Sequence, residues 1–501
     1  MSIPTPKNNP HARIAHNAWL CAAAMLLAVD CPALARPGRP LGESLTAITR
    51  SLPHRNTKAG VFVVDLATKR TVFSRNPDSA LIPASTMKVF TMVTAVLELG
   101  ESFVFRTVLA LDGADLIVVA DGDPAFGDVK TSRALRRDIE HPFAPWITAI
   151  KSAGIERIDG DIILDESVYD DAAIHPSWEA ADLGKWYAAP VRALNINGNC
   201  LDITLTPTAT GDAPRVSIRP DTRLASITNK CKTGSGRTPL LHHPPNTMEY
   251  IVSGRCAKTW AFGAVAFPDP GLLFGDAFKT ALSAAGIATQ GRVVFGRVRL
   301  PGGGLPPSAQ TLAVHETPLS AVLARVGKNS QNLFAEALFK RAGYAWALRH
   351  GRENPVGSWA NGARAVEAFA ARAGLDTTGL VVSDGSGLSR ANRCTARQLA
   401  SVFSWIDEQP QAGALQDNLA IAGIDGSLRK RLKDLPGSVI GKTGTMRGVC
   451  SLAGWVLDRG GRRRFAFAII FNGYHGPSAP YRELQDRICR VLVRATTDLS
   501  D

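Results

Sequence analysis

Ser85 and Lys88 stand three residues apart at the head of the stretch PASTMKVFTMVTAVLELG, residues 83–100. A helix starting near Ser85 would bring hydroxyl and amine to one side of its first turn, because residues three apart are neighbours on a helix surface. A serine hydroxyl beside a basic amine is a nucleophile with its own base. The free N–H groups and dipole of a helix N-terminus would favour an oxyanion developing at that hydroxyl. Two more short patterns follow, Ser330-Gln331-Asn332 and Lys442-Thr443-Gly444. Each is weak alone, and Lys232-Thr233-Gly234 shows why: it copies the third pattern directly after Cys231. That copy precedes Ser330 and falls inside a long excursion of the chain, so it reads as a decoy. What carries weight is the order of the three patterns and the setting expected of each: a helix start, an interhelical turn and an edge strand.

The elements that would position these residues are legible from periodicity. Val89, Met92, Val93, Leu97 and Leu99 recur at helical spacing until Gly100 stops the run. Residues 41–52 read as a short helix, and 61–74 as a hairpin around Ala67-Thr68-Lys69. Helical pattern returns at 320–327, breaks at Lys328-Asn329-Ser330 and resumes over 332–350, which sets Ser330 and Asn332 between two helices. Residues 437–445, 448–458 and 463–474 read as strands, and 481–495 as an amphipathic closing helix. This is an α+β layout with a largely antiparallel sheet, which requires the first and last segments to share that sheet. The excursion between the first two patterns, with short strands at 104–111, 116–119, 158–164, 201–206 and 250–252 and a Pro-rich join at 301–307, is too long for a loop. It reads as an inserted β-rich domain, as one unit or as two subdomains.

Composition bounds the rest. The 501 residues are 45% hydrophobic and 20% charged, ordinary for a globular chain of two or more domains. The 57 Lys and Arg exceed the 44 Asp and Glu, a formal charge of +13 that favours anionic surfaces or polymers. The basic residues are scattered, with triplets only at Arg429-Lys430-Arg431 and Arg462-Arg463-Arg464, so they read as solvated surface and not as a nucleic-acid patch. Lys7 and Arg13 precede an apolar stretch from Ala18 to Val29, and Ala33-Leu34-Ala35 offers small residues for cleavage: the layout of a secretory signal peptide over 1–35. No later stretch has the length of a transmembrane helix, which leaves a soluble or peripherally membrane-attached product. Cys21 and Cys31 fall in the leader; of the remaining six, Cys231 and Cys256 are the best candidates for a disulfide. No Cys-x-x-Cys occurs, which argues against a structural zinc site.

Taken together, Ser85/Lys88, Ser330/Asn332 and Lys442/Thr443/Gly444 resemble the three motifs of penicillin-binding proteins and their β-lactamase relatives, with Gln331 replacing the usual Asp. The segments GDPAFGD (122–128), GDIILDESVYD (160–170), NSQNLFAEALFKRAG (329–343) and SDGSGLSRAN (383–392) narrow the resemblance. They are similar to the low-molecular-mass, class C D-alanyl-D-alanine carboxypeptidase/endopeptidase family that carries a large insertion. The resemblance implies a transpeptidase-like serine domain over 36–98 and 272–501 with an inserted domain over 99–271. It implies an acyl-enzyme on Ser85, with Lys88 as base, Ser330 as proton relay and Asn332 on the substrate amide. Backbone N–H groups of Ser85 and Thr445 would form the oxyanion hole, and Lys442, Thr443 and Thr445 would bind the terminal carboxylate. Burial and the charge of Lys442 would keep Lys88 neutral. Asp165 and Arg390 match positions that recognise the stem-peptide side chain, often the free end of diaminopimelate, and Arg447 adds a cation where the family has a small or neutral residue. The implied partners are peptidoglycan stem peptides, with β-lactams as inhibitors and no metal or organic cofactor; the implied location is periplasmic or extracytoplasmic.

Two rivals share that scaffold. A β-lactamase would need fast deacylation, for which no Glu-x-x-Leu-Asn segment between Ser330 and Lys442 and no tyrosine in place of Ser330 is present. A non-catalytic cell-wall binding protein is opposed by the intact Ser85, Lys88 and Lys442. Gly385-Ser386-Gly387 lacks the spacing of a Gly-x-Ser-x-Gly esterase, and His315-Glu316 has no second histidine to suit a metalloprotease.

Overall fold

The computed structural model describes residues 40–245, 247–300 and 303–498. The expected signal peptide, 1–35, lies outside the described residues. A six-stranded sheet runs in the spatial order Ala420–Ile421, Val439–Met446, Val449–Leu457, Arg463–Asn472, Lys58–Asp65, Thr71–Arg75, antiparallel throughout. Lys58 pairs with Asn472 and Asp65 with Phe465, so the first and last segments share one sheet as the layout required.

Alternation along the strands builds two cores. Val61, Val63, Phe465, Phe467, Ile469 and Phe471 pack with Leu45, Ile48, Ile488 and Leu492, burying one sheet face under the helices Leu41–Arg50 and Ala479–Asp498. Phe62, Val64, Ala466, Ala468 and Ile470 face the other way, against Leu399 and Phe403 of the helix Ala396–Ile406 and the helices beyond it. Central among these is Lys88–Leu99, in which Lys88 through Val96 are all buried. It was expected to begin near Ser85. Instead Ala84–Met87 forms a 3₁₀ turn and the α-helix starts at Lys88. Ala84 has φ +49°, a left-handed conformation that an α-helix of L-residues does not include.

A second, mixed sheet runs Val293–Phe295, Ile162–Asp165, Asp115–Val119, Val104–Asp112, Gln310–Pro318, packed on an aromatic core of Phe126, Phe143, Trp146, Phe274 and Phe278. Two three-stranded sheets, one of Trp260–Ala266, Cys200–Thr206 and Arg215–Arg219 and one of Leu240–His242, Glu249–Cys256 and Ser226–Thr233, and a parallel pair of Arg157–Ile158 with Ala288–Thr289 make up the rest of the β-rich part. The boundary drawn at residue 272 falls inside the helix Pro270–Ala284, and strand pairing carries this layer on to Pro318, where Leu319–Gly327 begins the return. A sheet closes on hydrogen-bond partners, not on composition, which is why strands after 272 pair with strands before it.

The six described cysteines are free and buried. Cys231 and Cys256 share one small apolar cluster on adjacent parallel strands, but Cys231 faces Gly254 and Cys256 faces Thr233, and the expected bond is not formed. Among the described residues, no helix is long and apolar enough to cross a membrane.

Candidate active site

In a 3₁₀ turn residues three apart eclipse one another, and Ser85 and Lys88 do so here: Lys88 Nζ lies 3.1 Å from Ser85 Oγ. The same nitrogen lies 2.7 Å from Asn332 Oδ1 and 2.6 Å from the Ser386 carbonyl. The orientation of the Asn332 amide follows from its other end, where Nδ2 donates to the Tyr187 carbonyl at 2.7 Å. Lys88 is fully buried, and burial lowers its pKa to about 7 against the opposing pull of Glu336 and Asp384. A neutral amine has two N–H donors and one lone pair. Asn332 Oδ1 and the Ser386 carbonyl can only accept, so they take the two N–H groups and the lone pair faces the Ser85 hydroxyl. That is the arrangement a general base needs before it takes a proton. The charge of Lys442 was expected to help neutralise Lys88; burial does this, and it is Lys442 whose pKa is pushed down by burial and by Lys88.

The loop bearing Ser386 is held by two buried carboxylates. Glu336 accepts from Gly385 N (3.0 Å), Ser386 N (2.8 Å) and Trp359 Nε1 (2.8 Å). Asp384 accepts from Gly387 N (2.8 Å), Ser389 N (2.6 Å), Asn392 Nδ2 (2.7 Å) and Trp178 Nε1 (2.9 Å). Burial raises the Glu336 pKa to about 7, with Asp384 adding to the rise. Neither carboxylate was assigned a role from sequence, although both lie in the quoted segments. A Glu in the otherwise apolar stretch NLFAEALF was the available signal.

Lys442 is also fully buried, and its Nζ donates to Ser330 Oγ and to the Thr443 carbonyl, each at 2.8 Å. Ser330 sits between the helices Leu319–Gly327 and Asn332–Arg349 with φ +58°, a conformation costing a non-glycine residue about 1–3 kcal/mol and concentrated at functional sites. Gln331, the departure from the usual Asp, accepts from Leu333 N at 3.1 Å and caps the second helix. Gly444 lets the strand lie against the turn that carries Ser85: a Cβ there would stand 2.8 Å from the Pro83 carbonyl and 3.0 Å from Ser85 N. The outer neighbour of this strand, Ala420–Ile421, pairs only with Ile440 and Gly441. From Lys442 onward the edge is open among the described residues.

A cleft of about 650 Å³ gathers Ser85, Ser330, Asn332, Thr445, Arg390 and Arg447. Lys442 and Gly444 are buried and do not line it, and Thr443 lines an adjoining pocket that shares Thr445. Arg390 reaches the Arg447 carbonyl at 3.2 Å and Glu179 at 3.6 Å. Glu179, Asp182, Trp186 and Tyr187, which sequence reasoning missed, form the wall contributed by the insertion. Asp165 is not in the cleft. It is fully buried at a strand end and accepts from Ser167 N (2.8 Å), Val298 N (2.7 Å) and Arg299 N (2.5 Å), pinning a turn. The decoy Lys232-Thr233-Gly234 lies on and just after the strand Ser226–Thr233 of the insertion and lines no part of the cleft.

The chain is 31% identical over 470 residues to a D-alanyl-D-alanine carboxypeptidase of Actinomadura sp. (strain R39), a match covering 87% of this chain and 82% of that one. It is 27% identical over 453 residues to the D-alanyl-D-alanine carboxypeptidase DacB of Haemophilus influenzae, covering 86% and 88%. The crystal structure of penicillin binding protein 4 (dacB) from Haemophilus influenzae matches with a TM-score of 0.73 at 25% identity, over 90% of this chain and 99% of that one. The family model for D-Ala-D-Ala carboxypeptidase 3 (S13) spans residues 41–494, both walls of the cleft included, and the chain belongs to that family of serine-type carboxypeptidases.

Proposed function

We propose that the cleft hydrolyses peptidoglycan stem peptides ending in D-Ala-D-Ala, and the D-Ala cross-links between stems, through an acyl-enzyme on Ser85. The observation that carries this reading is the geometry of Lys88, whose lone pair is directed at Ser85 Oγ by two acceptors that occupy its N–H groups. Lys88 takes the Ser85 proton as Oγ adds to the carbonyl carbon of the scissile amide. The N–H groups of Ser85 and Thr445 stabilise the oxyanion. The C–N bond then breaks as the proton that Lys88 took passes to the leaving amine by way of Ser330, which Lys442 holds, and Lys88 is neutral again. Water gives a proton to Lys88, adds to the ester and releases the acid as Ser85 recovers its proton.

Substrate is held along the open edge beyond Gly441, where an extended peptide can add as a strand. The second Nδ2–H of Asn332 remains for a substrate carbonyl, and Lys442, Thr443 and Thr445 take the terminal carboxylate. Arg390 and Arg447 line the cleft together with Glu179 and Asp182, Arg390 pairing with Glu179 at 3.6 Å. Walls of both signs suit a side chain that ends in both an amine and a carboxylate, as diaminopimelate does. A β-lactam presents the same carbonyl and carboxylate and acylates Ser85. The substrate lies outside the cytoplasm, in keeping with export on the leader over 1–35 and a periplasmic or extracytoplasmic location. The test is incubation with a labelled penicillin: a lasting adduct on the wild type and none on Ser85→Ala supports the reading, rapid turnover of the drug points to a β-lactamase, and no adduct on either leaves a binding protein.

A further inference from the structure

Beside the cleft, on the far side of Thr445, lies a second pocket of about 520 Å³ that includes the basic triplet Arg429-Lys430-Arg431. Thr445 lines both spaces, so they adjoin at that residue. The remaining wall is Thr443, Ser427 and Arg482, and no carboxylate lines it. Three of the four cations have no side-chain hydrogen bond or ion pair among the described residues: Arg429, Lys430 and Arg482, all exposed.

The scaffold around them is fixed. Arg431 is committed to structure, its Nη2 donating to Asp486 Oδ1 at 2.7 Å and to Gln485 Oε1 and the Arg482 carbonyl at 3.1 Å. It thereby ties the loop to the closing helix and sets Arg482 opposite Arg429 and Lys430. The same loop is anchored to the active site: Asp425 pairs with Lys328 at 2.5 Å, Ser427 N donates to the Lys328 carbonyl at 3.0 Å, and Thr443 Oγ1 donates to Ser427 Oγ at 2.7 Å. Unpaired like charges gathered on a rigid frame repel one another, and an anion relieves that repulsion.

We propose that this pocket is an anion-binding subsite for the leaving group, and that it receives a carboxylate-bearing second stem peptide when the enzyme cuts a cross-link. The inference rests on the reading above, in which Lys442, Thr443 and Thr445 hold the carboxylate next to the scissile amide. Whatever extends from the leaving residue past those threonines enters the basic pocket. A single departing D-alanine ends before it; a departing stem peptide does not. The pocket therefore favours endopeptidase action on cross-linked stems over removal of a terminal D-alanine.

The experiment compares cross-linked muropeptide dimers with monomeric pentapeptides, using wild type, Arg429→Ala/Lys430→Ala and Arg482→Ala, with thermal melting to confirm folding. Dimers carrying free or amidated carboxylates on the leaving stem form the second arm. Loss of charge-assisted hydrogen bonds should lower the ratio of dimer to monomer kcat/KM about tenfold, through KM, and amidation should do the same to the wild type. Added salt should lower dimer cleavage more steeply than monomer cleavage. A ratio unmoved by both substitution and amidation overturns the subsite. So does weaker binding of the variants to whole sacculi with the ratio unchanged, which would assign the cations to an anionic wall polymer. Penicillin labelling of each preparation separates the two levels: a wild type that is not acylated sinks the enzymatic reading itself, whereas an acylated, active enzyme with an unmoved ratio sinks only the subsite.

Discussion

Lys88 donates to the Ser386 carbonyl at 2.6 Å, so the amine proposed as general base is held by a loop 298 residues further along the chain as well as by its own helix. That loop is in turn fixed by Glu336, whose negative charge raises the Lys88 pKa while burial lowers it to about 7. Base and carboxylate therefore act as a unit, and their linkage can be read kinetically.

Acylation should rise with pH through about 7, because protonated Lys88 has no lone pair for the Ser85 proton. Glu336→Gln removes the charge that favours the protonated amine, so the acid limb should move about one pH unit lower. The pH dependence of penicillin acylation measures this. A limb that stays in place or moves upward, in a folded variant, rejects the coupling. Glu336 is thus a positioning residue, and loss of stability alone would not move the limb.

Lys88→Arg keeps a cation but supplies a side chain that does not deprotonate in proteins. Acylation should fall on the order of 10²- to 10⁴-fold, the range for a general acid or base. Stopped-flow labelling of Ser85 gives the rate directly, and wild-type speed in this variant would exclude Lys88 as the base.

Gly387 and Gly374 both have positive φ, +80° and +63°, but only Gly387 is crowded: a Cβ there would stand 1.9 Å from the Ala84 carbonyl, beside the nucleophile. Gly374→Ala should cost about 1 kcal/mol of stability and no activity. Gly387→Ala should displace the turn carrying Ser85 and slow acylation on the order of 10²-fold, the cost of an ångström-scale misplacement. Melting and labelling of the pair distinguish the two effects.

Asp165 holds three backbone amides in the interior. Asp165→Ala should destabilise the protein by about 1–3 kcal/mol for each amide left unpaired, with KM for stem peptides unchanged. A raised KM without a lowered Tm would return Asp165 to the substrate.

The sheet, its helices and the settings of the second and third motifs were legible because periodicity and turn residues encode them locally, whereas Ser85 lies on a 3₁₀ turn ahead of the α-helix expected to carry it. Ser330 falls between helices and Lys442 on an edge strand as the spacing implied. The contacts that surround the Lys88 amine were not legible. Glu336 and Asp384 act through burial, which depends on where distant elements pack, and Ala84's left-handed turn depends on the space left at Gly387 and Gly444. Asp165 was misplaced for the same reason, since a carboxylate near a strand end looks alike in sequence whether it faces substrate or pins a turn. Which strands join the second sheet was not legible either, because partners in a sheet are chosen across long separations, as Val293–Phe295 and Gln310–Pro318 show.

The unpaired margin beyond Gly441 has one more consequence. A bare strand border invites other proteins to join it and so seeds association. Here Thr445 and Met446 of that border line the cleft together with Trp186 and Tyr187. A single extended chain lying in the cleft can therefore join the border as an added strand. The enzyme thus keeps its adhesive margin where substrate enters.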